Sequence, residues 1–402
     1  MFEAIKFKGY PRPDGSVGIR NYLGIIPTVN CCNEMVVRIA SKIENAIPLP
    51  HIGRCVFLGK DQERLFNVLS NLGKNPNLGA VLVVGTGCEP HSAEELAREI
   101  SLSKKPVETI TLKDFYDYDL VIEKGRNLAK KLIKKITSQI KAFFPLSYIT
   151  LAIKCGGSDT TSGIASNIIA GMIADRIIED GGKVLFTETP ELIGAEHVLS
   201  QRAINNEVSQ KLLEVVQRQE RRMLQMGVDI RRCEPTPGNI QGGLTTIEEK
   251  SLGAIAKSGT SKLTNVLESS EKPDKPGLYF IDGPSHTAEI FSNVAAAGAQ
   301  ILLFSIGGGI PAYLPIGPAH SGQFPMMPIV RITGNPYQDK SVLDNMDVDV
   351  SAIISQGESY QKSFERTIQL FRRVLSEEQL TKAEKRTKYL EPLNIYFEGP
   401  LI

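Results

Sequence analysis

Three segments of the chain share one plan: an apolar, β-rich run, then a turn carrying cysteine and small residues, then a helix-like stretch. They read "YLGIIPTVNCCNE" (22–34), "GAVLVVGTGCEPHSAEE" (79–95) and "SYITLAIKCGGSDTTSG" (147–163). Continuous Val, Ile and Leu runs that alternate with helices are the pattern of parallel strands buried on both faces. The spacing predicts helices over 35–45, 93–102 and 165–179. In open α/β sheets, ligands bind outside the carboxyl ends of the strands. Cys31, Cys32, Cys88 and Cys155 all fall at that end. The third turn goes furthest beyond closure. Gly-Gly alone would end the strand, yet Ser158, Asp159, Thr160, Thr161 and Ser162 follow.

At 402 residues the chain is long enough for two or three domains. The Lys-rich stretch "NLAKKLIKKITSQIKAFFP" (127–145) has helical spacing and a Pro stop, so it is expected to be the last helix of a first domain spanning 1–145. A long helical stretch is predicted from about 196 to 226. Further strands, "GLYFIDGPS", "AQILLFSIGGGIPAY", "FPMMPIVRITGNP" and "MDVDVSAII", complete a second domain over 146–402. The expectation is α/β, with two Rossmann-like domains, mainly parallel sheets and an active site at the strands' carboxyl ends. Lys plus Arg number 46 and Asp plus Glu 45, so the charge balance offers no reason to expect nucleic acid or an acidic membrane as partner. No run approaches the roughly 20 apolar residues of a membrane span, and the N-terminus lacks the apolar core of a signal peptide. A cytoplasmic location is expected. Six cysteines are too sparse for a disulfide scaffold.

Cys31 or Cys32, together with Cys88 and Cys155, would meet if their strands lie side by side. Three thiolates with an open coordination position suit iron, as a single Fe(II) or as an iron–sulfur cluster. His51 and Cys55, in "LPHIGRC", are additional candidate ligands, whereas Cys233 is expected only to pack. A second polar loop, "GNIQGGLTTIEEK", offers Gly242, Gly243, Thr245 and Thr246 to a carboxylate or to the cap of the following helix, with Glu248 or Glu249 completing a capping box. There is no Walker lysine, and "IGGGIP" is not GxGxxG, so nucleotide binding is not expected. "ETPELIGAEH" gathers Glu188, Glu191, Glu196 and His197 after a strand; His197 reads either as a base or ligand, or as a structural histidine near a helix start. His91 and His320 have weaker cases. Near the start, Arg12, Asp14, Arg20 and Asn21 surround two glycines, where an arginine forks a substrate carboxylate or pairs with Asp14 to seal the loop.

Together, "GYPRPDGSVGIRN", "TVNCCN", "VVGTGCEP", "KCGGSDTTSG", "ETPELIGAEH", "PTPGNIQGGLTTIEEKSLG" and "MDVDVS" resemble the altronate/galactarate dehydratase family, which includes the large subunit of sulfolactate sulfo-lyase. The resemblance runs from Gly9 to about Ile354. It implies a lyase on 2-hydroxy acids: a base removes the proton α to the carboxylate, the β substituent leaves, and tautomerisation gives a 2-oxo acid. It also implies iron as Lewis acid, with Cys31, Cys88 and Cys155 as ligands. His197 would be the first choice for acid/base work, then Lys250, with Glu196 beside the histidine. Arg20, Asn21, Ser158, Asp159, Thr160, Thr161, Asn239, Gly243, Thr245 and Thr246 would bind the acid. Dehydratases of the family carry an extra N-terminal domain, and here Met1 stands almost at the first motif, so a separately encoded small subunit is expected, along with homo-oligomerisation. "SDTTSG" and "LPHIGR" resemble the sulfo-lyase, while "VNCCN" and "GTGCEP" resemble the dehydratases. The leading expectation is an iron-dependent hydro-lyase on a sugar acid such as altronate or galactarate. The alternatives are a sulfo-lyase subunit releasing sulfite and a non-catalytic acid-binding subunit.

Overall fold

The computed structural model describes residues 5–57, 59–308, 324–385 and 392–399. Near the N-terminus, β1 (Lys6–Pro11) pairs antiparallel with β2 (Val17–Gly18) and with β7 (Ala142–Pro145). Between them, β3 (Tyr22–Pro27), β4 (Ala46–Pro48), β5 (Leu78–Gly85) and β6 (Val107–Thr111) form a parallel sheet in the order β4-β3-β5-β6. A larger parallel sheet follows, built from β8 (Thr150–Gly156), β9 (Lys183–Phe186), β10 (Leu263–Leu267), β11 (Gly277–Ile281), β12 (Ile301–Ile306), β13 (Ile329–Thr333) and β14 (Val348–Asp349). Its order is β10-β11-β9-β8-β12-β13-β14, and every pairing is parallel. The architecture is therefore mixed α/β with a large parallel sheet. Among the described residues, no helix is long and apolar enough to cross a membrane.

Strand β8 shows why the continuous apolar run was informative. Leu151 and Ile153 point to one face, against Ile169, Ile173 and Ile177 of the helix Asn167–Glu179. Ala152 points to the other, in a cluster with Phe291 and Val294 of the helix Thr287–Ala296. With both faces covered, each fully buried Leu or Ile contributes roughly 1.5–3 kcal/mol. The same cluster takes in Ile26, Val81 and Val83 from the four-stranded sheet, so the two sheets share a core layer.

Three expected helices are corrected. The Lys-rich stretch is helical over Tyr118–Ile136, started by the Asp117 side chain accepting from the Leu120 N–H, with Lys130, Lys131, Lys134 and Lys135 exposed. It does not run to Pro145, because 142–145 are claimed by β1 as strand β7. The stretch 196–226 is two helices, Glu196–Ser200 and Asn206–Gln225, the second capped afresh by Asn205. The segment after β8 opens with a five-residue π-helical turn, Ser162–Ser166, before the α-helix begins. Such turns widen a helix locally and recur at functional sites.

Candidate active site

The chain leaves β8 for β9 on one side and returns at β12 on the other, so the strand order reverses at the β8/β12 seam. That is the position at which open parallel sheets leave a crevice beyond their carboxyl ends. The loop 156–162 fills it, and Asp159 ties it down. Its Oδ1 accepts from Thr161 Oγ1 at 2.8 Å and from the Ser162 N–H at 2.6 Å. Its Oδ2 accepts from the Gly308 N–H after β12 at 2.5 Å and from Asn335 Nδ2 after β13 at 3.1 Å. One buried carboxylate thus holds together the ends of three strands. The loops approach so closely that a Cβ on Gly307 would lie 2.3 Å from the Gly157 carbonyl oxygen.

Beside this seam lies a buried charge cluster. Cys155 and Glu188 are fully buried, Lys257 is 1% exposed and Lys154 2% exposed. Lys257 Nζ lies 2.8 Å from Cys155 Sγ, 2.7 Å from Glu188 Oε2 and 3.3 Å from Glu191 Oε2. Lys154 Nζ lies 2.6 Å from Glu188 Oε1, and Cys155 Sγ donates to Glu191 Oε2 at 3.1 Å. Two carboxylates are thus balanced by two ammonium groups. Burial alone would raise the Glu191 carboxyl, but the charges of Lys257, Lys250 and Lys154 overcome it and hold the group at about 2. Burial would likewise strip Lys257 of its proton, and the anionic surroundings reverse this, keeping it an ammonium. The Cys155 thiol is pushed up to about 12 by burial and by Glu191, against the pull of Lys257, so it stays protonated. Glu188 adopts φ 89°, ψ 66°, a left-handed conformation. For a residue with a bulky side chain that costs about 1–3 kcal/mol, and such strain concentrates at functional sites.

A cavity of about 330 Å³ opens between the Asp159 loop and the helix Ile247–Ala256. Its lining includes Ser158, Asp159, Thr160, Asn167, Glu249 and Lys250. Lys250 connects cavity and cluster: Nζ is 2.7 Å from Glu234 Oε2 and 3.9 Å from Glu191 Oε1. Burial works against its charge, but Glu191 and Glu234 more than compensate, so Lys250 is a firmly held cation.

The two polar loops singled out in the sequence meet here. Asn239 Nδ2 donates to the Ser158 carbonyl at 2.8 Å, and the Thr160 N–H and Oγ1 both donate to the Gly242 carbonyl. Gly243 takes a positive φ of 93°, and a Cβ there would meet Thr160. Thr246 caps the helix Ile247–Ala256 by accepting from the Glu249 N–H, and Thr245 donates to Glu249, so these threonines act first as a helix cap.

Other expectations are redirected. Arg20 does fork a carboxylate, but it is that of the half-buried Glu384, at 2.7 and 3.0 Å, from a fully buried guanidinium. Asn21 is used by Arg12 and by the Ile136 carbonyl, and Asp14 bonds to Ser16 rather than to an arginine. Arg20 and Asn21 are thus engaged by framework partners, and Asp14 sits at an exposed turn. His197 is exposed on its short helix; Glu196 beside it has a buried Oε2 to which no described residue donates. His51 is fully buried with both ring nitrogens engaged, Nε2 with the Pro27 carbonyl at 2.8 Å and Nδ1 with the Gly53 N–H at 3.0 Å. It has no lone pair left for a metal. His91 stacks on Phe66 at the surface, and His320 lies outside the described residues.

The structure does not gather Cys31, Cys88 and Cys155 into one compact ligand group. Cys31 and Cys88 are exposed at the ends of β3 and β5 with buried Cys32 near them, Cys55 is half-buried there, and Cys155 is in the other sheet. Cys233 is exposed rather than packed. Among the described residues, the group whose ligand atoms all lie within 4.8 Å of one another is Cys155, Glu188 and Glu191, which could hold a metal ion. One sulfur and two carboxylates suit a divalent transition metal. Lys257 is its competitor, because its ammonium already sits against all three donors. Sequence reasoning placed Glu188 and Glu191 in a polar segment but overlooked Lys154 and Lys257. The signal was present: a lysine inside the buried strand "LAIKC" requires an anionic partner.

Comparison with known proteins then decides the family. Residues 146–396 match the D-galactarate/altronate dehydratase C-terminal domain, and residues 9–137 match the second domain of D-galactarate dehydratase/altronate hydrolase. The chain belongs to the galactarate/altronate dehydratase family. It is 32% identical over 370 residues to the (2R)-sulfolactate sulfo-lyase subunit beta of Chromohalobacter salexigens, covering 91% of this chain and 92% of that one. It is 36% identical over 320 residues to the altronate dehydratase of Bacillus subtilis, covering 76% of this chain but 63% of the relative. With the galactarate dehydratase (L-threo-forming) of Escherichia coli it shares 29% over 381 residues, or 90% and 71% of the two chains. These relatives are lyases by name.

Proposed function

We propose that this family member is a lyase that eliminates the β substituent of a 2-hydroxy acid, water from a sugar acid such as altronate or galactarate. The observation that carries the reading is the Lys–Glu–Cys cluster at the carboxyl edge of β8 and β9, joined through Lys250 to a cavity at the sheet's switch point that is lined by Ser158, Asp159, Thr160 and Asn167 among apolar residues. Removing a proton α to a carboxylate builds a second negative charge on the substrate, and fixed cations where that charge develops are the strongest available help. In this reading Lys250 holds the carboxylate, and Lys257 and Lys154 supply positive potential. Glu191, 10% exposed and 3.9 Å from Lys250, takes the α proton. The C–H electron pair becomes the enediolate, the β C–O bond breaks as the departing hydroxyl takes up the proton that Glu191 removed and leaves as water, and the enol product tautomerises to a 2-oxo acid. Were a metal held by Cys155, Glu188 and Glu191, with iron the family expectation, it would replace the Lys257 ammonium and polarise the hydroxy acid, and Glu191 would be its ligand and not the base. Lys250 is thus given carboxylate binding in place of the acid/base role expected from the resemblance, and His197 is given none.

A second reading, elimination of sulfite from sulfolactate, is favoured by identity spread over 91% of the chain to a sulfo-lyase subunit. The word "subunit" in that relative's name also supports a small partner subunit here. Incubating the protein, alone and with a small partner subunit added, with altronate, galactarate and (2R)-sulfolactate separates the readings. A 2-keto-3-deoxy acid supports the hydro-lyase, and sulfite with pyruvate replaces it by the sulfo-lyase. Saturable binding without turnover, partner present, leaves only an acid-binding subunit.

A further inference from the structure

The cavity has two chemically different ends. On the helix Ile247–Ala256, the Lys250 side chain leans toward the helix N-terminus, as helical side chains do, and reaches Glu234. The Gly253 carbonyl, three residues and about 4.5 Å further along the axis, points the other way. It accepts from Asn167 Nδ2 at 2.7 Å. Asn167 lines the cavity, is 1% exposed, and its Oδ1 is buried with no donor among the described residues. The amide cannot turn over to relieve this, because Oδ1 would then face the Gly253 carbonyl oxygen. Neighbouring hydroxyls are already spent as donors: Ser162 Oγ to the Asp159 carbonyl, and Thr160 Oγ1 to the Gly242 carbonyl. A fixed, desolvated acceptor is costly to leave unmade, so the donor is to come with the ligand.

From this geometry we infer that Asn167 Oδ1 reads a hydroxyl on the substrate chain, remote from the carboxylate held at Lys250. The inference rests on the reading of the cavity as the acid site given above. Carboxylate and sulfonate oxygens carry no proton at neutral pH and cannot satisfy this acceptor, so the Asn167 end selects a polyhydroxylated chain over a second anionic group.

The test is equilibrium binding, by titration calorimetry, of glycerate, threonate, ribonate and altronate, in a Glu191→Gln background that keeps the acids unturned. Affinity is expected to step up about ten- to a hundredfold at the chain length that first reaches Asn167. Asn167→Leu should abolish the step while leaving glycerate affinity unchanged. A flat series with Asn167 intact overturns the inference even if the leucine variant fails to fold, and so does a step that survives in that variant. Failure of every acid to bind overturns the acid-site reading itself, a distinguishable result.

Discussion

Replacing Lys257 by methionine tests the cluster directly. Methionine matches the length of the lysine stem but removes an ammonium that lies 2.7–3.3 Å from Glu188, Cys155 and Glu191. Glu188 would keep Lys154, while Glu191 would keep the Cys155 thiol at 3.1 Å and, as its nearest remaining ammonium, Lys250 at 3.9 Å. Stripping one partner from a buried ion pair costs about 3–5 kcal/mol, because the remaining charge is desolvated without compensation. At about 2.1 cal/mol/K per residue, unfolding 402 residues carries an entropy of roughly 0.8 kcal/mol/K, so Tm should fall by about 4–6 °C. The pH dependence has a definite sign. Glu191 is held low in the folded wild type, so its stabilising contribution is present above the unfolded carboxyl value near 4.3 and fades as pH falls toward about 2. Without Lys257 the carboxyls rise, and protonating them relieves the variant. The deficit should therefore be largest at neutral pH and shrink below about pH 5. Calorimetric melting at pH 7.5 and pH 5 measures this, and adding Glu191→Gln should return part of the lost stability without returning activity. A Lys257→Met protein that melts like wild type at both pH values would refute the claim that this ammonium holds the site.

Other consequences are more local. His51 is buried as the neutral imidazole and its pKa is lowered to about 4, so stability should decline by about 3 kcal/mol as pH drops from 6.5 to 4; denaturant titrations should show this slope vanish in His51→Asn. Asp159→Asn puts an NH₂ group against N–H donors from two loops. It should cost about 2–3 kcal/mol by denaturant unfolding and weaken acid binding, whereas Asp14→Asn, at the exposed turn, should do neither. If the metal triad is used, Co(II) titration should give a sulfur-to-cobalt charge-transfer band that is lost in Cys155→Ser and kept in Cys31→Ser and Cys88→Ser. A band that depends on Cys31 or Cys88 would move the metal to the other sheet.

The strands were legible because parallel strands buried on both faces need uninterrupted apolar runs, as in β5 and β8. The polar loops were legible because "SDTTSG" and "GNIQGGLTT" carry more hydrogen-bonding groups than turns require, and the structure clasps the two through Asn239 and Thr160. Pairing across distance was not legible. That β3 and β5 belong to one sheet and β8 to another depends on strand order, which local pattern does not encode, and it separates Cys31 and Cys88 from Cys155. Arg20 shows the same limit: its chemistry, a fork for a carboxylate, was readable, but the partner, Glu384, lies 364 residues away. Lys257 closes the helix "SLGAIAKSG" like any solvent-facing lysine, and only the fold turns it inward onto Glu188.

The central claim is that Glu191 removes an α proton from a hydroxy acid held at Lys250, with the Lys257 ammonium stabilising the charge. Proton NMR of altronate or galactarate in D₂O, with wild-type protein, Glu191→Gln and Lys257→Met, tests it most directly. The account predicts that wild type removes the α-proton signal as 2-oxo acid forms, and that each variant slows this by at least about a thousandfold. Undiminished loss of the α proton in Glu191→Gln would contradict it.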